Sequence, residues 1–221
     1  MKRAYHFARG ISDGQLTVDV LRSCIHTPKP VILEIGANDG QHSRWFADLF
    51  PQGRIHCFEP DPRATARWRA MIGHRPNVTL HELAIADRDG TATFHQSDGA
   101  GGRHYDASGS IRCPKNHLLV NPDITFAQNL QIPTQRLDSW CEREHVEEVD
   151  FIWMDVQGAE LDVIRGGRRT LARTRTIYTE YNALELYEGQ VGLAGILKEL
   201  GHFSIFRLYP EDVLLRNQRC S

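Results

Sequence analysis

No uninterrupted apolar run in this 221-residue chain approaches the roughly 20 residues needed to span a bilayer, so no membrane helix is expected. The N-terminal Met-Lys-Arg-Ala-Tyr-His-Phe is basic, but no apolar core of signal length follows it. Neither sign of charge dominates: 26 Lys and Arg stand against 28 Asp and Glu, for a net charge of −2. That balance offers no global attraction for nucleic acid or an anionic membrane. An Asn-Pro-Pro-Tyr-type base-flipping motif is also missing. The five cysteines form no C-x-x-C pair, which argues against a disulfide scaffold or zinc site and for reduced thiols in the cytoplasm. There is no internal repeat, low-complexity tract or interdomain linker. What remains has the length and the 41% hydrophobic content of about one globular domain.

Residues 31–40, Val-Ile-Leu-Glu-Ile-Gly-Ala-Asn-Asp-Gly, carry the strongest signal. A short apolar run, two glycines and a following helical pattern read as a strand, a tight turn and a helix start. The third glycine of a dinucleotide fingerprint is absent, and Glu34 and Asp39 stand where a pyrophosphate would come close. Carboxylates repel phosphate and suit a cation. The turn therefore fits a cationic nucleoside without phosphates, such as S-adenosylmethionine (SAM). Glu34 and Asp39 are expected to meet its ammonium, and Gly36 to let the backbone approach, with Gly40 closing the turn. Asn38 has two readings, ligand contact or a bond to its own backbone. Residues 54–60, Arg-Ile-His-Cys-Phe-Glu-Pro, form a second strand ending in Glu59, 23 positions after Gly36. An acid there reaches ribose hydroxyls; the plainer alternative is a solvated strand-end charge.

Residues 149–160 read Val-Asp-Phe-Ile-Trp-Met-Asp-Val-Gln-Gly-Ala-Glu. The order Ile-Gly-Ala-Asn, Phe-Glu-Pro, Asp-Val-Gln-Gly-Ala-Glu resembles the FkbM family of SAM-dependent methyltransferases, as does Leu-Tyr-Glu-Gly-Gln at 186–190. The resemblance covers roughly residues 30–207, with Gln157 where many relatives carry Glu. It implies O-methylation of a hydroxyl on a small molecule, a sugar or natural-product scaffold. It also implies a single-domain, Rossmann-like class I methyltransferase fold.

The pattern itself alternates strand and helix, as a mostly parallel α/β sheet with helices on both faces requires. A helical preface is expected over residues 1–30. Strands are expected at 31–35, 54–58, 78–83, 149–154, 176–181, 203–208 and 212–216. Helices are expected at 41–50, 62–72, 159–173 and 190–200. The last two strands lie close enough for an antiparallel edge hairpin, completing seven. An extra strand at 91–96, a short one at 131–136 and a short helix at 137–145 flank a glycine-rich insert, 97–130. The insert shows little periodicity and reads as a mobile functional segment that carries acceptor specificity.

Methyl transfer needs an acceptor oxygen held in line with the sulfur and a group that removes its proton. Ligands in open α/β sheets sit outside the carboxyl ends of the strands. Asp155, after the fourth strand, is placed to act as base or cofactor anchor, or simply to cap the next helix. Glu180 ends the neighbouring strand. Together they could share a proton or bind Mg²⁺; two or three oxygens make the metal the secondary reading, and no metal ligand is assigned. Glu82 and the backbone of Ala84 are candidates near adenine. His104, in the insert, is a candidate to reach the acceptor, and His117 and His145 are alternative bases. An NAD-dependent oxidoreductase fits the alternation but not the acidic turn. A non-catalytic interaction module fits the fold but leaves the acids unexplained.

Overall fold

The computed structural model describes residues 16–220. Along them run α1 (Val18–Arg22), β1 (Val31–Ile35), α2 (Gln41–Leu49), β2 (Arg54–Phe58), α3 (Pro62–Ile72), β3 (Val78–His81), β4 (Ala84–Ala86) and β5 (Gly90–Gly99). Next come α4 (His117–Val120), β6 (Ile124–Arg136), α5 (Leu137–Arg143), β7 (Val149–Met154), α6 (Glu160–Gly166) and α7 (Arg168–Leu171). β8 (Thr174–Glu180), α8 (Leu193–Glu199), β9 (Phe203–Leu208) and β10 (Asp212–Asn217) complete the order. Seven strands form one sheet, β3-β2-β1-β7-β8-β10-β9, and three form a second, β4-β6-β5. Of the expected preface, residues 1–15 lie outside the described part.

β1 is buried at all five positions, as a central parallel strand covered on both faces must be. Val31, Leu33 and Ile35 join the core beneath α5, α6 and α8. Ile32 points to the opposite core, beneath α1, α2 and α3. Strand alternation puts Glu34 on that second face too. β2 and β7 flank β1, both parallel to it. The chain leaves β1 for β2 and β3 on one side and returns to β7 on the other. A crevice opens where the order reverses. At the far edge β10 pairs antiparallel with both β8 and β9, which gives the expected hairpin.

Four expected elements differ. The strand at 78–83 stops at His81, because Glu82 turns to an ion pair with Arg69 on α3 and Ala84–Ala86 pair instead with β6. The helix at 159–173 is two helices. Asp138 accepts from the backbone N–H groups of Arg169 and Thr170, at 3.1 and 2.8 Å, and so supplies a second helix start. The helix at 190–200 shortens to α8. The insert at 97–130 is more regular than its composition suggests: β5 runs to Gly99, and β6 starts at Ile124 and pairs antiparallel with it. β6 hides from a periodicity reading because its early residues are held by pairing with β5 more than by burial. Among the described residues, no helix is long and apolar enough to cross a membrane.

The ends of β1 and β7 approach very closely. Gly36 has φ +92°, and a Cβ on it would lie 1.9 Å from the carbonyl oxygen of Asp155. A left-handed backbone alone costs a side chain about 1–2 kcal/mol, and the backbone collision adds to it. Gly36→Ala is expected to lose at least about 2 kcal/mol of stability, seen as a lower urea or thermal midpoint. An unchanged midpoint would show that the strands are free to separate there.

Candidate active site

A cavity of about 300 Å³ opens at the point where the strand order reverses. Its walls are the β1–α2 turn, the end of β2, the start of β4, the insert between His104 and Ile111, and the end of β7. The turn is fastened first. Gly36 N and Ala37 N both donate to Phe58 O at 3.0 Å, which ties the turn to β2. Asn38, at φ 44°, accepts from Asp39 N through Oδ1 at 2.8 Å and donates from Nδ2 to Asp106 O at 3.3 Å. Its side chain therefore shapes the turn and also ties it to the insert. Gly40 sits behind the turn, where a Cβ would be 2.8 Å from the Trp68 ring.

Glu59 lies on the wall, with its carboxylate spanning two backbone donors: Asn38 N at 2.9 Å and Asp61 N at 2.8 Å. Burial pushes its pKa up to about 7, against the pull of those two bonds. Asp39, Ala84 and Asp155 also line the wall. Glu34 does not. It is 0% exposed and faces the α2–α3 core. There Ser43 Oγ donates to its Oε2 while accepting from Trp68 Nε1 at 2.8 Å. Burial raises its pKa to about 8, so the carboxyl keeps its proton at neutral pH. The expectation of direct contact with a bound ammonium is thus corrected to a place in the core. Glu82 is likewise off the wall, paired with Arg69 and accepting from Thr65 Oγ1 at 3.2 Å.

At the end of β7, Gln157 adopts φ 52° and its amide Nε2 donates to Asp155 Oδ1 at 2.7 Å and to Glu180 Oε2 at 3.1 Å. The two carboxylates expected to converge are therefore bridged by an amide. Glu180 stands one step behind the cavity wall. Gly158 follows at φ +91°, and a Cβ there would meet Tyr187 at 2.8 Å. Gln190 Oε1 accepts from Leu186 N and Tyr187 N and so holds that tyrosine. The Tyr187 hydroxyl donates to Ser108 O at 2.7 Å. The motifs at 155–160 and 186–190 thus lock together against the insert.

His104 is on the wall but 54% exposed, between Arg67 Nη1 at 2.8 Å and Asp106 Oδ2 at 3.3 Å. Arg67 also pairs with Asp106 at 2.5 Å, and Arg63, one turn earlier on α3, donates to Ser97 O at 2.9 Å. Two arginines of one helix therefore hold the insert down. His117 is buried against Phe126 and Tyr187, and His145 lines a separate hollow below α5. The sequence reading missed Arg67, Asp106 and His42. His42, in the first turn of α2, lines the cavity and packs on Trp153 with centroids 4.1 Å apart and planes tilted by 34°.

The family model described as the methyltransferase FkbM domain matches residues 34–209. The chain belongs to the FkbM methyltransferase family. It is 47% identical to the 2-O-methyltransferase NoeI of Sinorhizobium fredii, over 99% of this chain and 93% of that one. Methyltransferase 1 of Beauveria bassiana is 25% identical over 61% of the chain and 57% of its own length. Among solved structures, a Klebsiella pneumoniae protein described as a candidate O-methyltransferase superposes with a TM-score of 0.54. It shares 14% identity and covers 94% of this chain and 83% of its own, a likeness of fold. The enzyme is a SAM-dependent O-methyltransferase of the class I fold. The oxidoreductase and non-catalytic readings fall with that assignment.

Glu34 generates a pH prediction. Its pKa is about 8 in the fold against 4.5 for the free side chain, so the folded state binds the extra proton. That stabilisation is complete below pH 4.5 and is lost as pH rises through about 8. The slope is about 1.4 kcal/mol per pH unit inside the window. Glu34→Gln is expected to flatten the fall in urea-unfolding stability across it. Glu59 and Glu160, both raised to about 7, add slopes of the same sign up to about pH 7, so the flattening in Glu34→Gln is read most cleanly between about pH 7 and 8. An identical pH profile in wild type and Glu34→Gln would remove Glu34 as its source.

Proposed function

We propose that the enzyme transfers the methyl group of SAM to a secondary hydroxyl of a saccharide. The observation that carries this is the bridged polar edge of Asp155, Gln157 and Glu180, set directly against the cavity end. Such an array of carboxylate acceptors, held in place by the Gln157 amide, suits a neighbour with several hydroxyls to donate. The relative's name, 2-O-methyltransferase, supports the 2-position as the site of transfer. The near-neutral net charge supports a small molecule over nucleic acid. Five free cysteines, three of them buried, suit the reducing cytoplasm.

The cavity fits SAM by its chemistry. Phe58, Leu83, Ile85 and Phe94 form an apolar slot for adenine beside the backbone of Ala84. Glu59 is placed for the ribose hydroxyls, and Gly36, Asn38 and Asp39 for the methionine end. Bound there, SAM supplies an electrophilic methyl group. The protein orients both reactants, excludes water and removes a hydroxyl proton at Asp155's end of the cavity. His104, first read as an acceptor contact, is better placed to hold the donor-side wall with Arg67 and Asp106. The amide of Gln157 lies where a cation shared by Asp155 and Glu180 would sit, which supports metal-free transfer.

The test is incubation with SAM and a panel of methyl glycosides, followed by mass spectrometry for the gain of one methyl group. Transfer to at least one glycoside is expected, and full activity should survive EDTA. Loss of activity in EDTA with rescue by Mg²⁺ would overturn the metal-free reading. Glu59→Ala is expected to weaken SAM binding by about 1–3 kcal/mol in calorimetry; equal affinity would take Glu59 out of the site. Asp155→Asn is expected to stay folded while turnover falls about 10²-fold or more.

A further inference from the structure

We propose that His42 receives the proton of the acceptor hydroxyl, with the Asp155 carboxylate as its charge partner. This deepens the O-methyl-transfer reading and rests on it. Two histidines of the described residues line the cavity, and only His42 stands at the β7 end. The other, His104, is held by Arg67 and Asp106 on the donor side. His42 is carried by the first turn of α2, a rigid element that begins directly after the Gly40 turn. Its ring packs at a tilt on Trp153, which in turn packs at a tilt on Tyr178 with centroids 4.5 Å apart. Residues two apart along an extended strand share a face. Asp155 follows Trp153 by two, and its N–H still bonds to Ile35 O at 2.9 Å in the strand pattern. A ring packed on Trp153 therefore stands on Asp155's side of the sheet.

The acids around the ring come from three elements, with Glu34 among them in its protonated, neutral form. Asp155 follows β7, Asp39 lies in the turn, and Glu34 reaches from β1 with Oε1 3.9 Å from Nδ1. Burial lowers the ring's pKa to about 4, and Asp155 and Asp39 act against it. The imidazole is thus neutral at physiological pH, a weakened base whose protonation in the step depends on the facing Asp155 carboxylate. In the step, the C–O bond forms as the C–S bond breaks, and the C–S electron pair stays on sulfur. The hydroxyl proton passes to the imidazole, which becomes imidazolium. One positive charge leaves sulfur and one appears on the ring, so Asp155 faces a single cation before and after. The ring then returns its proton to water.

Two variants test this. His42→Phe keeps an aromatic ring on Trp153 but cannot take a proton, and His42→Gln keeps polarity without basicity. Both are expected to bind S-adenosylhomocysteine within about threefold of wild type. Both are expected to transfer methyl to the responding glycoside about 10²-fold or more slowly in single turnover. The variants' rate should climb with pH up to pH 10 as hydroxide replaces the lost base, while wild type stays level. Near wild-type transfer by His42→Phe, or matching pH profiles, would overturn the proposal. A second readout needs no acceptor. In ¹⁵N-histidine NMR of wild type, the His42 ring should be neutral at pH 6 and its nitrogen signals should shift when SAM is added. A protonated ring at pH 7, or signals unmoved by SAM, overturns the proposal whatever the glycosides do. If SAM binds but no glycoside is methylated, the saccharide reading fails and the NMR result alone judges His42.

Discussion

The carbonyl oxygen of Asp155 stands almost where a Cβ on residue 36 would be, and the cavity is built around that approach. Two parallel strands end side by side there, their last backbone groups joined by Asp155 N to Ile35 O. With no side chain between them, each chain bends into a turn directly after its strand. One turn, from Gly36 to Gly40, is tied to β2 through Phe58 O. The other, through Gln157 and Gly158, needs positive φ twice in succession. That pair of bends carries Asp39, Asp155 and Gln157 onto one rim, with Glu59 arriving from the next strand.

The charge on this rim is distributed by burial as much as by sequence. Asp39, Glu59, Asp106 and Asp155 line the cavity and Glu34 and Glu180 stand behind it, yet these acids do not carry equal charges. Glu34 is sealed behind the turn and keeps its proton, and Glu59 is balanced near neutrality by burial against two backbone donors. A low-dielectric site could not hold so many adjacent carboxylates without such grading. The neutral acid at Glu34 still organises the site, because its bond from Ser43, itself bonded by Trp68, joins β1, α2 and α3.

Much of this was legible in the sequence where the constraint is local. The glycine turn after β1, the acid at the end of β2 and the block at 155–160 each report a backbone demand within a few residues. The reading went astray where the deciding partner is distant. Glu34 reads as a turn-flanking acid until Ser43 and Trp68 come back over it. Glu82 looks like a strand-end acid until Arg69 draws it aside. His42 was lost among eleven histidines because the ring that fixes it, Trp153, lies far along the chain. The first half of β6 escaped for a related reason, although its end at 131–136 was expected: its early residues are stabilised by β5 across a long loop, and their side chains bear little periodic trace of it.

The insert strand of wall between His104 and Ile111 is fastened at both ends of the cavity. Towards α3 Arg67 grips Asp106, and towards β7 the Tyr187 hydroxyl grips Ser108 O, the sides proposed above for donor and acceptor. These anchors are two residues apart. On the proposed assignment, a substitution in this strip that reshapes room for a new acceptor also shifts a wall of the proposed nucleoside slot. Changing the acceptor by exchanging this segment alone would therefore disturb donor affinity as well. The segment at 186–190, which braces the strip without lining the cavity, offers evolution and engineering a place to adjust one side while leaving the other still.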